Sequence, residues 1–323
     1  MNPLELRIHK VRLPLPLRLN HVNSYLIEDE EGWSVIDPGL ATDNTLTVWT
    51  EALQRYDLTF GDIRRIIVTH YHPDHYGLAG MFQQWTDAAV YSSKETFDWA
   101  DRTYHSESIR KSAQFSRKCG VPASLVAQMT EHNEELFTWV KPIEGAKVLL
   151  EPEEDIQLGG TQFQVKFGNG HAEGSVGFLH QASGLFIGGD LLLEKITPNI
   201  TYDYSTGSDP LQDYFDTLKK LQTLHIQTVL PGHGEAFELS ESFIDRVIEH
   251  HLERLQEIRS IWKHSNAGEL TPYEISTRLF PKVADPASVS FALGETVAHL
   301  RYLQKRDELV LRERDESLFC VLL

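Results

Sequence analysis

The 323-residue chain is 41% hydrophobic and 24% charged, with a formal net charge of −17 and a pI near 5.3. That length builds one large domain, or one large and one small. The acidic balance argues against a nucleic-acid binder, whose affinity comes mainly from Lys and Arg on phosphates, and two distant cysteines, Cys119 and Cys320, exclude a disulfide framework and fit a reducing compartment. No apolar run approaches the ~20 residues of a membrane span, and the first ten residues hold no apolar signal-peptide core. The expectation is a soluble, cytoplasmic protein with no membrane association.

In chain order, Val22–Ile27 and Trp33–Ile36 read as a hairpin around Asp29-Glu30-Glu31-Gly32. Val35-Ile36-Asp37-Pro38-Gly39 then ends a strand on a carboxylate. The spacing of Leu46, Trp49 and Leu53 predicts a helix over about 42–56. Ile63 to Val68 is rich in β-branched residues and reads as a buried strand. It runs into Thr69-His70-Tyr71-His72-Pro73-Asp74-His75, where three histidines and a carboxylate fall within six residues. Imidazole and carboxylate are the usual protein ligands of zinc and neighbouring divalent metals. Alternation puts His70 and His72 on one side, while Asp74 and His75 curl away, so one segment can serve two neighbouring metals. Leu78–Trp85 reads as a helix packing back on the sheet.

Residues 94–141 break the rhythm of short strands and turns. They are helical in composition, with a break at Gly120-Val121-Pro122 and many aromatic residues. For most of these aromatics a small core of the insertion's own is the leading reading; an insertion there would also cap the site and is the place to look for substrate selectivity, with Phe97 and Trp139 as the first rings to probe. Three more strand ends follow. Gln162–Phe167 leads to His171, Leu185–Ile187 to Asp190, and Thr228–Leu230 to His233, each ligand type lying beside glycine, which allows a sharp turn near a crowded centre. Tyr202 and Tyr204, after Asp190, are candidates to donate to an oxyanion. Asp209–Leu224 is an amphipathic helix.

The ordered set Asp37, His70/His72/Asp74/His75, His171, Asp190 and His233 resembles the metallo-β-lactamase superfamily over roughly residues 5–255. The resemblance implies an α/β fold, an αββα sandwich with a two-metal site along one edge. His70, His72 and His171 would hold the first metal, and Asp74, His75 and His233 the second. Asp190 would bridge the two together with a hydroxide, and Asp37 would orient a ligand histidine without being a ligand itself. The implied cofactors are two divalent ions, zinc first, with iron or manganese as alternatives. Asp74 and Asp190 are the candidates to relay a proton. The implied function is hydrolysis of a small thioester, lactone or ester, in the glyoxalase II-like and lactonase-like group, because neither cysteine falls in a motif and the 190–233 segment is too short for an inserted nuclease domain. The alternatives are a mononuclear iron persulfide dioxygenase and, behind it, a nuclease or RNA-processing enzyme.

The catalytic domain is expected to span 1–240. Residues 241–323 hold a long helix (Glu241–Trp262) and a winged-helix-like α+β module (Pro272–Leu279, Ser288–Gln304, Leu309–Leu311 and Leu318–Leu322). His250 and His251 on the long helix read as packing or solvated residues. Over 264–323 there are seven Lys and Arg against nine Asp and Glu, a local net charge of −2, so no nucleic acid is expected there. The apolar positions Phe291, Leu293, Val297, Leu300 and Leu303 form a packing face, for the long helix or for a second copy in a homodimer. The expected partner of the site is a small acyl substrate.

Overall fold

The computed structural model describes residues 3–202, 208–265 and 268–323; Tyr204 lies outside them. The chain runs β1 (Ile8–Pro14), β2 (His21–Asp29), β3 (Gly32–Ile36), α1 (Asp43–Arg55), β4 (Ile63–Ile67), α2 (Pro73–Tyr76), α3 (Ala79–Thr86), β5 (Ala89–Ser92) and α4 (Lys94–Thr103). Then come α5 (Ser106–Lys118), α6 (Ala123–Thr138), β6 (Lys147–Leu149), β7 (Asp155–Leu158), β8 (Thr161–Gly168), β9 (Ser175–His180) and β10 (Leu185–Gly189). The rest is α7 (Pro210–Gln222), β11 (Thr228–Pro231), β12 (Phe237–Glu238), α8 (Phe243–Lys263), α9 (Pro272–Leu279), α10 (Pro286–Gln304), β13 (Leu309–Arg314) and β14 (Ser317–Leu322). These elements form two units: residues 1–104, 136–198 and 221–240, and residues 105–135, 199–220 and 241–323.

The first unit holds two six-stranded sheets, ordered β1-β2-β3-β4-β5-β6 and β12-β11-β10-β9-β8-β7. Alternation along each strand assigns its side chains to two cores. Leu26, Val35 and Ile66 join the outer core with Trp49 of α1 and Phe82 of α3. Their neighbours Tyr25, Ile27, Ile36 and Ile67 face Phe163, Val165, Phe178 and Ile187 of the second sheet. Sheet faces sheet and helices cover the outer face of the first, as the sandwich expectation requires. The predicted helix over 42–56 is α1, started by Thr42, whose hydroxyl accepts from Thr45 N. Its Trp49 indole donates to Pro38 O at 2.8 Å, which ties the helix to the segment after Asp37.

The 94–141 segment divides between the units. Phe97 is buried in the outer core of the first unit and Trp139 packs against it. Phe115 and Met129 belong instead to a cluster in the second unit, with Cys119, Val126, Val289, Leu293 and Val297. Tyr202 joins that same cluster, where Arg301 lies over its ring. The second unit also carries a two-stranded sheet, β13 with β14, closed by Asp315 and Glu316, both at positive φ as a two-residue hairpin turn requires. Helix α10 begins two residues before the expected Ser288, because Asp285 caps it and Pro286 occupies its first turn. No helix among the described residues is long and apolar enough to cross a membrane.

His251 and His299 are fully buried side by side on α8 and α10, with His251 Nδ1 3.2 Å from His299 Nε2. His299 Nδ1 donates to Glu295 O at 2.8 Å, so His299 Nε2 accepts and His251 Nδ1 carries a proton. Burial, with each ring's cationic neighbours, pushes His251 down to about 2 and His299 down to about 4. Both values lie below the ~6.5 of an unfolded histidine. The pair's contribution is therefore intact above pH ~6.5 and is lost as pH falls through the folded values, on the order of 3 kcal/mol for His299 by pH 4. Urea titrations at pH 7 and pH 5 should show this acid loss, and His299→Leu should make it shallower.

Candidate metal centre

Each polar side chain of the centre leaves the end of a strand. His70 and His72 follow β4, with Asp74 and His75 in the single turn of α2, which starts at Pro73. His171 follows β8, Asp190 follows β10 and His233 follows β11, all in the second sheet. The seven residues come together within the first unit as three overlapping groups of close ligand atoms: His70/His72/His171, His70/His75/Asp190 and Asp74/His75/His233. His70 Nε2 lies 3.1 Å from His72 Nδ1 and 3.3 Å from His171 Nε2. His233 Nε2 lies 3.2 Å from Asp74 Oδ2. Asp190 stands between the groups: Oδ1 is 3.5 Å from His75 Nε2, while Oδ2 is 3.5 Å from His171 Nε2 and 3.3 Å from His233 Nε2.

The surrounding hydrogen bonds fix which ring nitrogens face inward. Asp37, 2% exposed, accepts from Thr69 N and from Thr69 Oγ1, both at 2.7 Å. The Thr69 hydroxyl, having donated, accepts from His70 Nδ1 at 3.0 Å, so His70 Nε2 presents a lone pair to the centre. His75 Nδ1 donates to Asp37 Oδ2 at 2.7 Å and turns its Nε2 inward. His233 Nδ1 donates to His21 O at 2.7 Å with the same result. Converging lone pairs and carboxylates repel one another unless a cation lies among them. Among the described residues, His75 Nε2 and Asp190 Oδ1 are buried without a hydrogen-bond partner. Orphaned atoms of this kind, in an all-nitrogen-and-oxygen donor set, fit a divalent metal.

The electrostatics divide the centre. Burial and the adjacent histidines hold His70 well below the usual histidine range, and burial with His171 pushes His72 down to about 3. Both stay neutral, the form in which an imidazole can bind a metal. Burial opposes charge on His75 and His233 too, yet Asp190, Asp37 and Asp74 outweigh it at His75 and raise it, and Asp190 and Asp74 outweigh it at His233, raising it to about 10. Asp74 and Asp190 stay ionised despite burial, held by these same histidines. The half of the centre around Asp74 and Asp190 therefore attracts positive charge strongly.

Sequence reasoning brought all seven residues to one place and placed Asp37 beside one of their histidines, His75. It missed the part played by Thr69, His21 and Trp99. Trp99, rather than Phe97 or Trp139, contacts the Tyr71 ring beside the centre from the 94–141 segment. Its ring stacks on Tyr71 at 5.7 Å, Tyr71 meets the His72 ring at 4.8 Å, and its indole donates to Glu173 at 3.1 Å.

Residues 17–233 match the Metallo-beta-lactamase superfamily, and residues 255–319 match the metallo-beta-lactamase-like C-terminal domain. The chain belongs to the metallo-beta-lactamase superfamily. It is 25% identical over 305 residues to the probable metallo-hydrolase YqjP of Bacillus subtilis (strain 168), covering 93% of this chain and 92% of that one. It is 22% identical to the beta-lactamase-like protein 2 homolog of Caenorhabditis elegans, over 83% of this chain and 73% of that one. Among solved structures, a metallo-beta-lactamase family protein from Thermus thermophilus superposes with a TM-score of 0.87 at 27% identity, covering 98% of this chain and 99% of that one. A beta-lactamase domain protein from Burkholderia ambifaria gives 0.86 at 25%, covering 98% and 92%.

Gly232 supplies a test of how tightly the centre is built. A Cβ there would lie 2.3 Å from Asp190 Oδ1 and 2.7 Å from His75 Cε1. Gly232→Ala should keep the far-ultraviolet circular dichroism of the parent. It should lower metal affinity by about the 10–100-fold typical of disturbed outer-shell contacts, read by competition with a chromophoric chelator.

Proposed function

We propose that the chain is a dinuclear metallohydrolase acting on a small thioester, lactone or ester. The observation that carries this reading is the Asp190 carboxylate, which turns one oxygen to His75 and the other to His171 and His233. A bridging group must reach ligands of both positions at once, and these distances support Asp190 in that role. His70, His72 and His171 would hold the first ion; Asp74, His75 and His233 would hold the second. When bound, two such ions supply an acidified water near neutral pH and polarise the scissile carbonyl.

The chain's own residues do the rest. Asp37 and Thr69 hold the imidazoles in the tautomers that face the centre. Asp190 and Asp74 set the negative charge that the centre must balance. Asp74 is the more exposed of the two carboxylates, at 17% against 8%. We assign it the proton released by the attacking water, which it passes to the departing oxygen or sulfur. Tyr71, backed by Trp99, offers a half-buried aromatic surface beside His72, suited to an apolar acyl substituent. The second triad is as fully assembled as the first, which favours this reading over a mononuclear iron dioxygenase. The near-neutral C-terminal region and the acidic chain favour a small-molecule substrate over nucleic acid.

Elemental analysis of reconstituted protein should give two equivalents of metal per chain. A hydrolysis screen across thioesters, lactones, esters, phosphodiesters and β-lactams should find turnover among the first three. Asp190→Ala should lower kcat by about 10²–10³-fold, since both proposed metal positions would lose the carboxylate they share. One iron per chain with oxygen consumption, or an Asp190→Ala variant keeping most of its kcat, would contradict the proposal.

A further inference from the structure

The loop Pro231-Gly232-His233-Gly234 carries a ligand between two glycines. Gly234 sits at φ +86°, and nothing lies within 4 Å of where its Cβ would be. Such a backbone has much freedom to lose and no side-chain packing on that side to restrict it. A ligand imidazole must nevertheless be aimed to within a fraction of an ångström.

The start of β2 supplies the restraint. Asn23 N donates to Gly232 O at 2.7 Å. Its side-chain amide donates both hydrogens, to Pro231 O and to Gly234 O, each at 2.9 Å. One residue thus brackets the loop from its first position to its last. His21 adds two contacts: its carbonyl accepts from His233 Nδ1 at 2.7 Å, and its ring Nε2 accepts from Gly234 N at 3.1 Å. Its other ring nitrogen, Nδ1, lies 2.7 Å from Asn20 Oδ1 and 3.1 Å from the Arg12 guanidinium. Tyr25 OH completes the attachment by donating to Pro231 O at 2.7 Å. Asn23 is fully buried and His21 is half-buried, so the two differ in how much of the core rests on them.

We propose that His21 and Asn23 are positioning residues that clamp the His233 loop and so set the affinity of the second metal position. This rests on the reading of Asp74, His75 and His233 as that position. The clamp acts on the backbone of Pro231, Gly232 and Gly234 and on the tautomer of His233 together. Losing it leaves the first position, built on other strand ends, as it was.

The test compares full-length wild type with Asn23→Ala, His21→Ala, His21→Gln and His233→Ala, each stripped of metal and titrated with zinc against a chromophoric chelator. Cobalt(II) substitution gives a visible spectrum as a second readout. His233→Ala should lose one of two equivalents and so identify the second position. Asn23→Ala and His21→Ala should weaken that same equivalent about 10–100-fold and leave the other unchanged. His21→Gln, whose amide oxygen can accept from Gly234 N, should recover part of the loss, which a purely structural role would not predict. Should Asn23→Ala fail to fold by circular dichroism, the half-buried His21 pair carries the test alone. Two unweakened equivalents in folded Asn23→Ala and His21→Ala would overturn the clamp while leaving the two-metal reading intact. A wild type that takes up a single equivalent would overturn both.

Discussion

The centre depends on one buried carboxylate that never needs to touch a metal. Asp37 extends the β3–β4 ladder by one rung, its N–H donating to Ile67 O, and then turns at φ +55°. That left-handed conformation costs a non-glycine residue about 1–2 kcal/mol. It brings the carboxylate over the end of β4, where it takes three hydrogen bonds from Thr69 and His75. Through the threonine hydroxyl it also dictates the tautomer of His70. One side chain therefore orients two imidazoles, and the direction of their lone pairs decides whether the rest of the donor set has anything to converge on.

The contrast with the histidine pair of the second unit makes the point. His251 and His299 are as deeply buried as His70 and His75. There, however, the rings bond to each other and to the helix backbone, and no carboxylate draws them into the charged form. Burial alone yields a neutral packing pair. Burial with Asp37, Asp74 and Asp190 aimed at the same point yields a centre that demands a cation.

What could be read from the chain beforehand was whatever local spacing encodes. His70 to His75 declare themselves within one loop, and the strand-then-glycine pattern marks His171, Asp190 and His233. The helices of the second unit carry their own starts, such as Thr271 with Glu274 and Pro272. His21 and Asn23 could not be read, because their partners lie more than two hundred positions away and β2 shows only an ordinary strand pattern. Phe97 and Trp99 sit two apart on α4, so helical geometry turns them to different faces. Which face meets Tyr71 is settled by tertiary packing, not by period. The β6 and β12 strands, three and two residues long, are too short for alternation to show.

The donors come from both sheets: four from the end of β4 in the first, and three from the ends of β8, β10 and β11 in the second. On the proposed reading, bound ions join the two layers at one edge as a removable staple. Folding and metal uptake then become linked equilibria. Free metal at a thousandfold excess over its dissociation constant would add about 4 kcal/mol to the folded state, and scarcity would withdraw it. The abundance of such a protein in a cell would follow the local supply of metal as well as the rate of its synthesis, with metal-starved copies the first to be cleared by proteolysis.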